Sequence, residues 1–174
     1  MNITTLDYAI MGLLLGQNLT GYKVRMAFET SAIGNFSSSP GSIYPSIKKL
    51  KKLELIQEAS KSDKTLKITA AGKEQMYHWL TKDIRLDEVA KRSDILVLKF
   101  AFMDHLVSKQ DKEAYINSLL TMTQTYINEL EAYMEDEGHQ LPLHGRLALD
   151  HGVRSFKAQL AWAKSTLKII EDEG

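Results

Sequence analysis

The sequence predicts a mainly α-helical fold with one small β-hairpin. Apolar residues recur at helical spacing along most of the chain, and two short apolar segments around a polar tip interrupt them near residue 60. The chain has 174 residues, of which 44% are hydrophobic and 25% are charged. This composition is typical of a globular protein, and the length allows a small domain followed by a helical extension.

Two helices are predicted in the first 30 residues. The first covers residues 5–16, where apolar side chains follow a helical period and Gly16 can end the helix. Gly12 inside this helix indicates that another helix approaches closely. The second helix begins near Thr20, which can act as its N-cap, and a loop rich in Gly, Asn and Ser follows at residues 31–41.

A third helix is predicted to begin at Ser39 as N-cap, with Pro40 in the first helical position, where its missing amide does no harm. Pro45 lies inside this helix and should bend or loosen its first turn, because it removes a backbone hydrogen bond. The apolar face of the helix consists of Ile43, Ile47, Leu50 and Leu53.

A hairpin and a fourth helix follow. Residues 55–59 and 65–68 have the composition of short strands, and the polar tip 60–64 joins them. Thr69 can cap a helix that runs to Leu80. Three helices, a hairpin and a helix in this order predict a winged helix-turn-helix.

The residues beyond 90 are predicted to be entirely helical. The segment 95–103 is apolar on nearly every side, so we expect it to be buried all round. A long amphipathic helix follows at 112–137, a break at 138–143 contains Pro142, and a last amphipathic helix ends the chain. We therefore expect a second, helical domain after the winged helix.

The C-terminal helices carry two apolar faces. On the long helix, apolar residues alternate steps of three and four, which is the spacing of a coiled-coil seam. A two-helix arm cannot easily cover both faces, which favours a homodimer; a monomeric three-helix bundle closed by segment 95–103 is the alternative. The expected domains are a winged-helix DNA-binding domain at 1–82 and a helical dimerisation domain at 83–174. The predicted dimer interface comprises Ile116, Leu119, Tyr126, Leu130, Leu160, Leu167 and Ile170.

The segment from Ser39 to Leu50 has the features of a DNA recognition helix. Short polar side chains at its start allow the backbone to enter the major groove, and free amides there can bind a phosphate. An ordinary solvated helix with a lysine-rich face is the alternative, but serines, a tyrosine, lysines and a basic hairpin together favour DNA. The DNA-binding candidates are Tyr22, Ser39, Ser42, Tyr44, Ser46, Lys48, Lys49, Lys61 and Lys64.

Five segments of the first 80 residues resemble the PadR family of bacterial transcriptional regulators. The run Ser39–Pro45 (SPGSIYP) is the most specific of them, and it makes the unusual Pro45 a family feature. The others are Tyr8–Leu14 (YAIMGLL), Thr20–Tyr22 (TGY), Leu55–Ile56 and Ile68–Gly72 (ITAAG). The C-terminal half is similar only in its length and helical character.

The chain departs from the family pattern at two positions. Glu54 stands where the family usually has glycine, so either a non-glycine residue makes the expected left-handed turn or the turn is reshaped. Leu66 replaces an aromatic residue that is frequent in the second strand of the hairpin. Both changes concern the detailed position of the hairpin rather than the fold.

The resemblance implies a homodimer that binds an inverted repeat near a promoter, usually as a repressor. In some members of the family, a small aromatic molecule binds and releases the DNA. The candidates for such an effector pocket in this chain are Trp79, Phe100 and Trp162. The alternative is that these aromatic side chains belong to the hydrophobic core.

Other classes of protein have little support in the sequence. There is no cysteine, the five histidines form no pair at helical ligand spacing, and no catalytic motif is present. We therefore expect no metal, no cofactor and no enzymatic activity. No signal peptide or membrane span is predicted, which favours the cytoplasm.

The charge distribution is mildly asymmetric. Residues 1–80 contain ten Lys and Arg against six Asp and Glu, a net charge of +4, and the remaining residues balance it with −4. A basic half beside an acidic half is compatible with nucleic-acid binding at one end of the chain. A winged-helix protein-interaction module without sequence-specific DNA binding is the alternative function.

Overall fold

The computed structural model describes residues 2–31, 33, 35, 40–60 and 64–172. Within them the chain is mainly helical, with three short strands. The elements are α1 (Thr5–Gly16), β1 (Leu19–Thr20), α2 (Gly21–Thr30), α3 (Ile43–Lys52), β2 (Ile56–Glu58), β3 (Thr65–Ile68), α4 (Ala70–Leu80), α5 (Leu86–Ala101), α6 (Lys109–Asp136) and α7 (Leu143–Asp172). The predicted winged helix-turn-helix order is confirmed.

The chain forms two compact units. The first consists of Met1–Thr81 together with Val97–Val107, and the second consists of Lys82–Leu96 and Ser108–Gly174. The sequence placed one boundary at residue 82, whereas the structure returns residues 97–107 to the first unit. Helix α5 is shared between the units and departs from helical backbone angles at Arg92.

Two glycines on α1 explain why residues 97–107 pack in the first unit. A Cβ atom on Gly12 would lie 2.6 Å from the ring of Phe102, and one on Gly16 would lie 2.8 Å from Nε2 of His105. Both side chains therefore occupy space that only glycine leaves open. The close approach predicted at Gly12 is confirmed, although a single aromatic ring provides it.

The N-terminal helices begin at well-formed caps. The Thr4 side chain accepts a hydrogen bond from the Asp7 amide while the Asp7 carboxylate accepts one from the Thr4 amide, which is a capping box. Thr20 caps α2 as predicted, by accepting from the amide of Lys23. Both helices thus satisfy amides that would otherwise lack partners.

The small sheet has one strand more than the sequence predicted. Its order is β1-β3-β2 and both pairings are antiparallel, with Leu19 opposite Leu66 and Ile56 opposite Ile68. The predicted hairpin corresponds to β2 and β3. Strand β1 escaped prediction because a two-residue strand has no detectable alternation.

Helix α3 begins later than predicted, which removes the difficulty at Pro45. A turn of 3₁₀ helix covers Pro40–Ser42, α3 starts at Ile43, and the predicted cap Ser39 lies outside the described residues. Pro45 is then the third helical residue, whose amide has no partner in any α-helix. The expected bend at this proline was wrong because the helix starts three residues later.

Helix α3 ends in a left-handed turn made by Glu54. Its φ angle is 56°, the amide of Leu55 donates to the carbonyl of Leu50, and the amide of Glu54 donates to that of Lys51. These two bonds form a Schellman motif, in which glycine usually takes the left-handed position. Of the two alternatives that the sequence left open, the structure shows the left-handed turn made by a non-glycine residue.

The connection from the sheet to α4 is tightly packed. The Thr69 hydroxyl caps α4 by accepting from the amide of Gly72, and the Thr69 amide donates to the carbonyl of Leu55. A Cβ atom on Gly72 would lie only 2.1 Å from that same carbonyl oxygen. Glycine is therefore required at this position for α4 to follow the sheet directly.

The second unit is built mainly from α6 and α7. Tyr126 and Phe156 meet edge to face with ring centroids 4.9 Å apart. The buried Tyr115 hydroxyl donates to the carbonyl of Leu96, and burial raises the pKa of this phenol. The apolar core residues of α6 and α7 are Ile116, Leu119, Ile127, Val153, Leu160, Ala163 and Ile170.

Two predictions about burial in the C-terminal half need revision. Ile116, Leu119, Leu160 and Ile170 were predicted to lie in a dimer interface, but they are buried within a single chain. Segment 95–103 was predicted to be buried all round, yet Val97 is 42% exposed and the helix ends at residue 101. The spacing of apolar residues indicates that a helix face is buried. It does not indicate whether the same chain or a second copy buries that face.

Candidate nucleic-acid interface

The first turns of α3 present a polar, accessible edge in the first unit. Tyr44 is 48% exposed, Lys48 one turn later is exposed, and Ser42 and Ser46 are partly exposed. Ile43, Ile47 and Leu50 occupy the opposite face and are buried. This division follows from the helical period, because the apolar residues recur every three or four positions and leave the polar ones outward.

The start of α2 lies beside this edge. A Cβ atom on Gly21 would be 3.3 Å from Cε1 of Tyr44, so the tyrosine ring packs closely against the helix start. Tyr22 follows directly and is 62% exposed. The structure thus brings together two candidates, Tyr22 and Tyr44, that are more than twenty residues apart in sequence.

Arg25 joins this surface and was missed by the sequence analysis. It is paired with Glu29 at 2.6 Å, and this carboxylate is the main cause of its raised pKa. Tyr22 and Tyr44 lie near enough to make smaller contributions that also raise this pKa. Arg25 lies nearly one helical turn after Tyr22, a spacing that places the two on one face of α2 and could have identified it.

Lys49 occupies a different position from Lys48. Its ammonium group donates to the carboxylate of the buried Asp7 and, at 3.3 Å, to the carbonyl of Asn2. Both partners belong to the start of the chain. The structure therefore separates Lys49 from the exposed edge of α3, whereas the sequence treated the two lysines alike.

The wing contributes Lys64 to the candidate surface, while the second predicted wing lysine, Lys61, lies outside the described residues. Lys64 is exposed and adopts a left-handed φ of 54° immediately before β3. At the end of β2 nearest the tip, Glu58 pairs with Lys51 of α3, and this hydrogen bond lowers the pKa of the carboxyl group. The described end of the wing nearest its tip thus carries Lys64 close to the Lys51–Glu58 pair.

The aromatic candidates for an effector pocket are divided between the units. In the first unit, Trp79 stacks on Tyr8 with centroids 4.4 Å apart and planes 4° from parallel. The ammonium group of the buried Lys99 lies 5.6 Å from the Trp79 centroid. Phe100 also belongs to the first unit, and Trp162 belongs to the second. Tyr8 and Lys99 were not candidates in the sequence analysis.

Other kinds of site find no support in the described part of the chain. Residues 2–31, 33, 35, 40–60 and 64–172 contain no group of three or more His, Asp or Glu side chains placed to hold a metal ion. Among the same residues, no helix combines the length and the apolar character needed to span a membrane.

Comparison with known proteins shows which family the first unit resembles. Residues 10–78 match the transcriptional regulator PadR-like family. The negative transcriptional regulator PadR of Bacillus subtilis (strain 168) is 27% identical over 182 residues, covering 97% of this chain and 98% of that protein.

Crystal structures of Bacillus subtilis PadR are also similar. The complex with p-coumaric acid has 23% identity, 98% coverage of both chains and a TM-score of 0.46. The complex with operator DNA has 24% identity, coverage of 98% of this chain and 99% of that one, and a TM-score of 0.42. Residues 10–78 of the first unit therefore carry a PadR-like domain, and nearly the whole chain is similar to a negative transcriptional regulator of that name.

Proposed function

We propose that the protein is a homodimeric repressor that binds an inverted-repeat operator through α3 and the wing. The observation that carries this proposal is the accessible edge of α3, where Ser42, Tyr44, Ser46 and Lys48 project away from the buried apolar face. Repression is the direction of control named for the Bacillus subtilis relative. The regulator would act on chromosomal DNA in the cytoplasm.

The chemistry of this edge suits a major groove. Hydroxyl groups near a helix start can bond base edges or phosphates, and their small size allows the helix backbone to approach. Tyr22, Tyr44 and Arg25 form a neighbouring surface that can contact a phosphate strand by hydrogen bonding and charge. Lys64 offers a further phosphate contact from the wing.

Replacing Ser42 or Tyr44 with alanine is expected to weaken specific binding by about 1–3 kcal/mol. Duplexes selected from a random pool by the wild-type protein provide the probe, and fluorescence anisotropy provides the affinity. Tyr77→Ala is a matched control, because this tyrosine is also solvent-accessible in the first unit but lies on α4. Unchanged affinity in both Ser42→Ala and Tyr44→Ala would show that α3 is not the recognition helix.

The same assay separates the remaining alternatives. Failure of the wild-type chain to select any sequence would favour a protein-interaction module.

Bacillus subtilis PadR has been crystallised with p-coumaric acid, and we extend the proposal to a small aromatic effector of this class. Adding p-coumaric acid is then expected to lower operator affinity, and operator DNA must lower acid binding by the same factor.

The dimer is expected to form through the C-terminal helices. Of the predicted interface residues, Tyr126, Leu130 and Leu167 remain partly exposed in one chain. Further large apolar side chains are exposed on these helices, namely Tyr133, Leu143, Leu147 and Ile169. Together they provide apolar surface that a second copy can cover.

Light scattering at low micromolar concentration is expected to give twice the chain mass of 19.7 kDa. One recognition helix reads only a few base pairs, and a twofold dimer places two such helices about 34–36 Å apart on successive grooves. A mass near that of one chain would contradict both the dimer and the inverted-repeat operator.

A further inference from the structure

A buried ion pair connects the start of α1 to the recognition helix. The Asp7 side chain is completely buried, and its Oδ2 atom accepts hydrogen bonds from the amide and the hydroxyl of Thr4, each at 2.7 Å. Lys49 of α3 donates to the same oxygen and also to the carbonyl of Asn2. The side chain of Lys49 is only 18% exposed. Three donors thus converge on one carboxylate oxygen.

Directional bonds of this kind constrain a helix in a way that apolar packing does not. The buried face of α3, formed by Ile43, Ile47 and Leu50, holds the helix against the core, but such contacts tolerate small rotations and shifts. A charge-assisted hydrogen bond to a fixed acceptor depends on distance and angle. Asp7 is itself fixed by the capping box with Thr4.

Lys49 and Lys48 lie on different sides of α3. Lys49 follows Lys48 directly, so the two side chains project about 100° apart around the helix axis. Lys48 faces solvent, while Lys49 reaches back to the chain start. A phosphate contact would require Lys49 to leave a completely buried carboxylate, which is costly because that charge would lose its ionic partner.

We infer that Asp7 and Lys49 are a positioning pair that sets the rotation of α3 relative to α1, and that Lys49 does not bind DNA phosphate. The inference rests on the proposed DNA-binding function but assigns Lys49 a role opposite to that of Lys48. Loss of the pair therefore affects discrimination between sequences, whereas loss of a phosphate contact affects binding to all sequences.

The test compares Lys49→Met with Lys48→Met, which is the same change at the next residue. Affinities for a selected operator and for a random duplex are measured over a series of salt concentrations, well below the melting temperature of each variant. Lys48→Met is expected to weaken both affinities and to lower the salt slope by about 0.9. Lys49→Met is expected to keep the slope and to lower the ratio of specific to non-specific affinity about fivefold or more, equivalent to one lost base contact.

Two further variants exclude a merely structural explanation. Lys49→Arg keeps the charge and is expected to retain most of the specificity ratio. If Lys49→Met fails to fold, the double variant Asp7→Asn/Lys49→Met replaces it, because this variant buries no unpaired charge. It is expected to show the same unchanged salt slope and the same reduced ratio of specific to non-specific affinity. A salt slope reduced as in Lys48→Met, or an unchanged ratio in a folded variant, would overturn the positioning role alone. Absence of sequence discrimination by the wild-type chain would overturn both the pair's role and the proposed function.

Discussion

Gly72→Ala is expected to destabilise the first unit by more than about 3 kcal/mol, a large share of the total stability of a typical domain. The added methyl would lie 2.1 Å from the carbonyl oxygen of Leu55 and 2.7 Å from the Ile68 side chain. The obstructing oxygen belongs to the backbone and accepts hydrogen bonds from the amide and the hydroxyl of Thr69. Relief of the clash would therefore break the connection between the sheet and α4.

Gly152→Ala is the matched control for this prediction. Gly152 lies inside α7, and a Cβ atom there would meet nothing within 4 Å. Alanine in an open helical position is expected to stabilise by about 0.5–1 kcal/mol. Urea unfolding followed by circular dichroism measures both variants. A loss below about 1 kcal/mol in Gly72→Ala would contradict the tight packing at this position.

Leu119→Asp is expected to destabilise the second unit by more than about 4 kcal/mol, because it places a carboxylate in a completely buried position of a single chain. Leu147→Asp is the comparison variant, since Leu147 is 55% exposed on α7. Its effect on the unfolding of one chain is expected to remain within about 0.5 kcal/mol.

Oligomeric state distinguishes a role of Leu119 in the core of one chain from its predicted role in a dimer interface. If Leu119 served only a dimer interface, Leu119→Asp would give a folded monomer with native helicity, and that result would refute its assignment to the core. The expected pattern is loss of helicity in Leu119→Asp, and intact helicity with a weaker dimer in Leu147→Asp, because Leu147 belongs to the surface proposed for the second copy. Circular dichroism and light scattering on the same samples provide both readings.

The sequence predicted the order of elements in the first unit because each helix carries a local signal. Thr20 and Thr69 are caps that depend on residues within three positions, and the apolar periods of α1 and α3 are equally local. The start of α3 was misplaced because Pro40 suits the 3₁₀ turn Pro40–Ser42 as well as the first position of an α-helix.

Features that depend on distant residues could not be predicted in the same way. Nothing in the sequence distinguishes Lys49 from Lys48, because the difference arises only when α1 brings Asp7 beneath α3. The stacking of Tyr8 on Trp79 joins residues 71 positions apart. The apolar seam of α6 was recognised correctly as a covered surface, but spacing alone cannot say whether the cover is α7 or a second chain.

The shared helix α5 makes the two units inseparable by a single cut. The chain passes from the first unit to the second after Thr81, returns at Val97 and leaves again after Val107. A fragment that ended near residue 82 would lack Phe102 and His105, and the glycines of α1 that receive them would face solvent. Recombination between related genes would meet the same restriction. A C-terminal half acquired from another regulator would bring its own version of residues 97–107, and this segment would have to fit Gly12 and Gly16 of the recipient. The interleaved chain thus obliges both halves of the protein to evolve together.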